Sequence, residues 1–102
     1  MRVTDAERLR AAVLERLGGV IDPETGIDVV RMRLIEELAA DGAGRVTYTF
    51  RPSSPLCPIA VPLALEMRRA VSEVPGVAGQ TMRVVGYAGS DELNALLEEM
   101  DP

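Results

Sequence analysis

Between Val46 and Val74 an alternating strand, a proline-rich loop and an amphipathic helix follow one another with no spare residues. Val46, Tyr48 and Phe50 alternate with Thr47 and Thr49, the period of a strand with one buried face. The segment Arg51-Pro52-Ser53-Ser54-Pro55-Leu56-Cys57-Pro58 then supplies three prolines, two serine hydroxyls and the chain's single cysteine. Beyond it Leu63, Met67, Ala70 and Val74 recur at spacings of three and four, which makes one apolar helix face. Pro58 suits the first helical position, where a missing N–H loses no partner. Cys57 is then expected at or near the N-cap, beside unpaired amides and the positive end of the helix dipole. That setting favours the thiolate, the form that binds metals and attacks electrophiles. The same residue reads equally as a buried, inert cysteine, because a lone thiol packs as a small apolar group.

Length and charge narrow the classes. A chain of 102 residues is one domain, residues 1–102, able to bury a modest core. Net charge is −5, and the eleven cations, all arginine, are scattered with no dense basic block. A nucleic-acid partner is therefore not expected, since phosphate contacts need a basic face. No apolar run is long enough to span a membrane. Arg2, Asp5, Glu7 and Arg8 occupy the stretch where a secretion signal would be apolar. One cysteine excludes an intramolecular disulfide and fits a reducing, cytoplasmic setting.

Taken in order, Thr4-Asp5-Ala6-Glu7 is a capping box, and Leu9, Val13 and Leu17 give the helix behind it a packing face. Gly18-Gly19 ends that helix. Val20-Ile21-Asp22-Pro23-Glu24-Thr25-Gly26 reads as a turn in which Asp22 caps local amides, Pro23 fixes φ and Gly26 permits a positive φ. From this stretch alone Asp22 and Glu24 read first as residues of a capped turn, with a functional role left open. From Arg31 to Ala40 two rules conflict. Propensity favours a helix. Met32, Leu34, Leu38 and Ala40 fit a period of two broken only by Glu36, and Asp41-Gly42-Ala43-Gly44 leads into the next strand as in a hairpin. The hairpin context decides for a strand. Val74-Pro75-Gly76-Val77 is a turn, Thr81–Tyr87 a third strand, and Ser90 an N-cap for a last helix striped by Leu93, Leu96, Leu97 and Met100. That stripe covers the domain's own core or docks on a partner. The order α-β-β-α-β-α makes a two-layer α+β domain, a small three-stranded sheet with helices packed on it.

Three stretches in series resemble the small metal–sulfur cluster assembly factors, the group of SufT-domain and PaaD-like proteins that also includes a subunit of the eukaryotic cytosolic iron–sulfur targeting complex. They are Val20 to Val30 around Asp22-Pro23-Glu24, the strand and loop from Val46 through Ser53-Ser54-Pro55 to Cys57-Pro58, and the helix end Val71 to Val77. The resemblance spans roughly residues 8 to 87. It implies a strand at Arg31–Ala40 and a shared pocket of Asp22, Glu24, Ser53, Ser54 and Cys57. Two departures stand out: Arg33 occupies a position where the family often has glycine, and Tyr87 is the nearest substitute for a tryptophan often found after the last strand.

The donor inventory limits the chemistry independently. With no histidine, Cys–His and Ser–His–Asp catalysis are excluded in their usual forms. A tetrahedral iron site wants about four ligands, and one chain offers one thiolate with the carboxylates of Asp22 and Glu24. Such a site is incomplete, a handicap for storage and a requirement for transfer. The expectation is a non-enzymatic factor that helps deliver iron–sulfur clusters to client apoproteins or works with other assembly proteins. In that reading Cys57 is the transient metal ligand, Ser53 and Ser54 shape its site, and Asp22 and Glu24 assist. A transient iron–sulfur cluster is then the sole cofactor, and a homodimer would supply a second thiolate. The alternatives are a single-thiol enzyme with Cys57 as nucleophile and a metal-free interaction module.

Overall fold

The computed structural model describes residues 5–100 and sets three helices against one sheet in the order α-β-β-α-β-α. The first helix, α1 (Asp5–Leu17), buries Val13 and Leu17 completely and carries acids in its first turn and Arg16 in its last, as the helix dipole favours. Thr4, its expected cap, lies outside the described residues. Strands β1 (Ile35–Ala40), β2 (Arg45–Phe50) and β3 (Gly79–Val84) lie in that order across the sheet. The pair β1–β2 is an antiparallel hairpin, and β2–β3 is parallel. Helix α2 (Ala60–Ser72) is the crossover that a parallel pair requires, and α3 (Ser90–Met100) follows β3.

Alternation in β2 sorts as its sequence predicts. Val46, Tyr48 and Phe50 are buried with Gln80, Met82 and Val84, their partners in β3, while Arg45 and Thr47 face solvent. Two polar groups inside are fully used. The Tyr48 hydroxyl donates to Gln80 Oε1 at 2.7 Å, and Gln80 Nε2 donates to the Arg68 carbonyl at 2.8 Å, tying α2 to the sheet. Both sheet edges are guarded against further strands. Arg10 Nε donates to the Leu38 carbonyl at 2.9 Å, and the Asn94 side chain takes up both the N–H and the C=O of Val84.

The strand expected from Arg31 begins only at Ile35, and the residues before it show why. Asp28 acts as an N-cap, its carboxylate accepting the Arg31 N–H at 3.0 Å. Met32 N–H reaches the Asp28 carbonyl, Arg33 N–H the Val30 carbonyl and Leu34 N–H the Val29 carbonyl, each at 3.1 Å. This is a single helical turn closed by a Schellman motif, with Arg33 as the left-handed residue at φ 59°. The helical propensity of this stretch is thus expressed, but for one turn only. A glycine would adopt that φ without strain, and arginine there costs about 1–2 kcal/mol.

Glu36, the residue that broke the two-residue period, is reconciled by a β-bulge. Glu36 lies opposite Thr49 and Ala39 opposite Thr47, so Glu37 and Leu38 together face Tyr48. Glu37 is the extra residue, at φ 54°. The insertion turns Leu38 inward to 8% exposure and sends Glu36 outward, where its carboxylate accepts from Arg51 Nε at 2.7 Å.

Other boundaries shift by a turn or less. Helix α2 starts at Ala60 with Ile59 as N-cap, so Pro58 stands outside it and Pro62 falls in its first turn, where no N–H is missed. Strand β3 covers Gly79–Val84, earlier than the expected Thr81–Tyr87. Ser90 is the first residue of α3; its hydroxyl accepts from Tyr87 N–H and donates to the Tyr87 carbonyl. In the last helix Leu93 and Leu97 enter the core, and Leu96 and Met100 stay exposed. The stripe therefore does mainly what a terminal amphipathic helix usually does.

Candidate functional site

The carboxyl ends of the parallel pair β2–β3 point to one end of the molecule, the place where open α/β sheets meet ligands. Two loops converge there. The first, residues 20–28, is closed by a short antiparallel bridge between Ile21 and Asp28, with Asp22 N–H donating to the Ile27 carbonyl and Val29 N–H to the Val20 carbonyl. Inside it Asp22 is 3% exposed, and its Oδ1 accepts the Glu24 N–H at 2.7 Å. Gly26 takes the positive φ of 73° that the turn demands. The turn chemistry expected from Asp22-Pro23-Glu24-Thr25-Gly26 is all present. Asp28, the other buried acid of the loop, was not singled out in the sequence. Its signal was an Asp three residues before a turn amide, a pattern that also fits many solvated turns.

The second loop, residues 51–59, leaves β2 and is anchored at three points. Arg51 N–H donates to the Leu34 carbonyl at 2.8 Å, Val85 N–H to the Phe50 carbonyl at 3.0 Å, and Ala88 N–H to the Pro55 carbonyl at 2.8 Å. Between the anchors its own bonds are longer. Cys57 N–H reaches the Ser54 carbonyl at 3.2 Å, Leu56 N–H the Ser54 hydroxyl at 3.2 Å, and Ala60 N–H the Cys57 carbonyl at 3.3 Å. Ser53 and Ser54 are exposed, Leu56 is 77% exposed, and Cys57 is 5% exposed. The thiol sits two residues before the N-cap of α2, in a turn leading into the helix and not at the cap itself.

A groove of about 210 Å³ runs between the first loop and the start of α2, lined by Ile21, Pro23, Ile59, Pro62, Leu63 and Glu66. The second loop reaches this groove only through Ile59, the N-cap of α2, and none of Asp22, Glu24, Ser53, Ser54 and Cys57 lines it. Asp22 is turned to its own loop, Glu24, Ser53 and Ser54 are in solvent, and Cys57 is covered. Among the described residues no three Cys, Asp or Glu side chains group closely enough to hold a metal ion. One chain thus offers a single sheltered sulfur, with no closed metal site around it.

Exposed apolar side chains mark the same end. Among the described residues the large ones are Ile21, Ile27, Leu56, Val61, Leu96 and Met100, and the first four belong to the two loops and the first turn of α2. Sequence reading passed over these positions because a lone surface aliphatic is ordinary, and which ones stay exposed is visible only in three dimensions.

Comparison with known proteins places this α+β domain in a known class. Residues 10–82 match the family described as iron–sulfur cluster assembly protein, and the chain belongs to that family. It is 32% identical over 89 residues to an uncharacterized protein of Methanocaldococcus jannaschii, covering 87% of this chain and 94% of that one. It is 29% identical to the Fe-S protein maturation auxiliary factor YitW of Bacillus subtilis, over 78% of each chain. It is also 29% identical to the Fe-S protein maturation auxiliary factor SufT of Staphylococcus aureus, over 65% of this chain and 75% of that one. A crystal structure of a domain of unknown function, DUF59, from Bacillus anthracis superposes with a TM-score of 0.73 at 28% identity, covering 78% of this chain and 76% of the other.

Proposed function

We propose that this protein is a non-catalytic helper in the maturation of iron–sulfur proteins, with Cys57 as a transient ligand to a cluster on its way to a client. The observation that carries the reading is the family match, which spans both loops and Cys57. The names of the relatives in B. subtilis and S. aureus point the same way. The iron–sulfur cluster is cargo here, and the donor set suits cargo. A single thiolate cannot retain a cluster alone, so the remaining ligands come from the client or from a second copy. Shelter fits this use as well. The buried sulfur belongs to a loop and not to the sheet, so a local opening of that loop would expose it with the strands left paired. Catalysis by the thiol is the weaker reading, because the chain has no histidine to serve as its base. No helix among the described residues is long and apolar enough to cross a membrane, which fits work on dissolved clients in the cytoplasm.

Anaerobic incubation with iron and sulfide, followed by visible absorption and by transfer to an apo-ferredoxin, tests the proposal. Wild type should acquire charge-transfer absorption and speed ferredoxin maturation. Cys57→Ala should do neither while unfolding within about 1 kcal/mol of wild type. Alanine is preferred to serine because a hydroxyl placed at this buried position would need a partner. Equal maturation by Cys57→Ala removes the ligand role. Sedimentation of both forms reads the homodimer: a monomer with and without cluster assigns the missing ligands to the client.

A further inference from the structure

We infer that the groove between the first loop and the start of α2 docks a segment of the client protein, with one large apolar side chain in the groove and a cationic side chain beside Glu66. The inference rests on the maturation role proposed above and names the chemistry of the partner. Five of the six groove residues are apolar, and Ile21 is 50% exposed although its neighbour Asp22 is buried. A volume of about 210 Å³ holds a single large side chain. Ile27, Leu56 and Val61 are further exposed aliphatic residues of the two loops and the first turn of α2.

Charge selects the occupant. Glu66 is the one charged residue lining the groove, and its carboxylate meets Arg69 only at 3.9 Å, beyond hydrogen-bond distance, with over half of its side chain exposed. Its acceptor capacity is open. Glu24, next to Pro23, adds a second exposed carboxylate to the first loop. An incoming Arg or Lys would be paired there, and an incoming Asp or Glu repelled. A second copy is a poorer occupant, because it brings another net charge of −5 and the same acids to the contact.

Fluorescence anisotropy with short synthetic peptides tests the inference on the cluster-free protein. The parent peptide carries one leucine and, two residues on, one arginine; its twins replace the leucine by serine or the arginine by glutamate. The parent should bind about tenfold tighter than the serine twin, as expected for burial of one aliphatic side chain. It should also bind better than the glutamate twin, and increasingly so at low salt. Ile21→Glu should abolish binding of the parent. Glu66→Lys, an exposed change that leaves the fold alone, should reverse the preference between arginine and glutamate. Cys57→Ala should bind the parent like wild type, so a failed cluster role and a failed docking site give different results. Equal binding of all three peptides, a preference for the glutamate twin, or an unaltered preference in Glu66→Lys overturns the proposal.

Discussion

The two ends of the sheet are built to different standards. At the hairpin end Asp41 is exposed, yet its Oδ1 accepts two amides, those of Ala43 and Arg45, each at 2.9 Å. The same hairpin is bonded to the Pro75-Gly76-Val77 turn, where Ala78 N–H donates to the Gly44 carbonyl at 2.8 Å. Contact there is so close that a Cβ on Gly44 would lie 2.5 Å from the Gly76 carbonyl oxygen. None of the exposed large hydrophobics lies in the hairpin turn, Asp41–Gly44. At the opposite end the buried polar side chains are satisfied just as fully, but four large aliphatic side chains remain in solvent beside a loop that holds the buried thiol. The hairpin end is finished as structure. The loop end keeps apolar side chains uncovered.

Substitutions at the two ends should separate these standards. Gly44→Val is expected to have the largest effect, about 2–3 kcal/mol, because it combines a β-branched residue at φ 88° with the clash against Gly76. In a domain of this size that lowers Tm by about 10 °C or more in a calorimetric melt. A melt within a degree or two of wild type would mean that the hairpin end is not tightly fixed. Asp22→Ala should come next, at about 1–2 kcal/mol by urea unfolding, since it leaves the Glu24 amide without its partner. A loss much smaller than that would leave the first loop with no structural need for a buried acid and would strengthen a ligand role for Asp22. Leu56→Ser should be smallest, within about 0.5 kcal/mol, because so little of that side chain is buried. It should nevertheless lower the binding of an apolar dye. Marked destabilisation by Leu56→Ser would show that the loop end serves the fold after all.

Much of this molecule was legible because the deciding interactions are local. Val46, Tyr48 and Phe50 announce a strand, Leu63, Met67 and Ala70 a helix, and Asp22-Pro23 with Gly26 a closed turn. Each is set by contacts within a few residues, which periodicity and turn chemistry capture. The family resemblance was carried by the same local signatures. The stretch from Asp28 to Ala40 was read only in part. A capped helical turn, a left-handed Arg33 and a bulge at Glu37 come in succession there, and each local choice costs energy that packing of Val29, Leu34 and Leu38 into a distant core offsets.

The candidate site divides along the same line. Sequence by itself determined which residue types it can use: one thiol, no imidazole, hydroxyls and carboxylates on two loops. Only the tertiary structure decided that the thiol is covered, that Asp22 is bound to its own loop, and that Ile21, Pro23, Ile59 and Leu63 form one groove. The physical reason is distance along the chain. Burial and convergence depend on where α2 crosses from β2 to β3 and on which face it presents to the first loop. Those positions are set by the sum of many weak apolar contacts between residues far apart in sequence, and no single residue carries a mark of them.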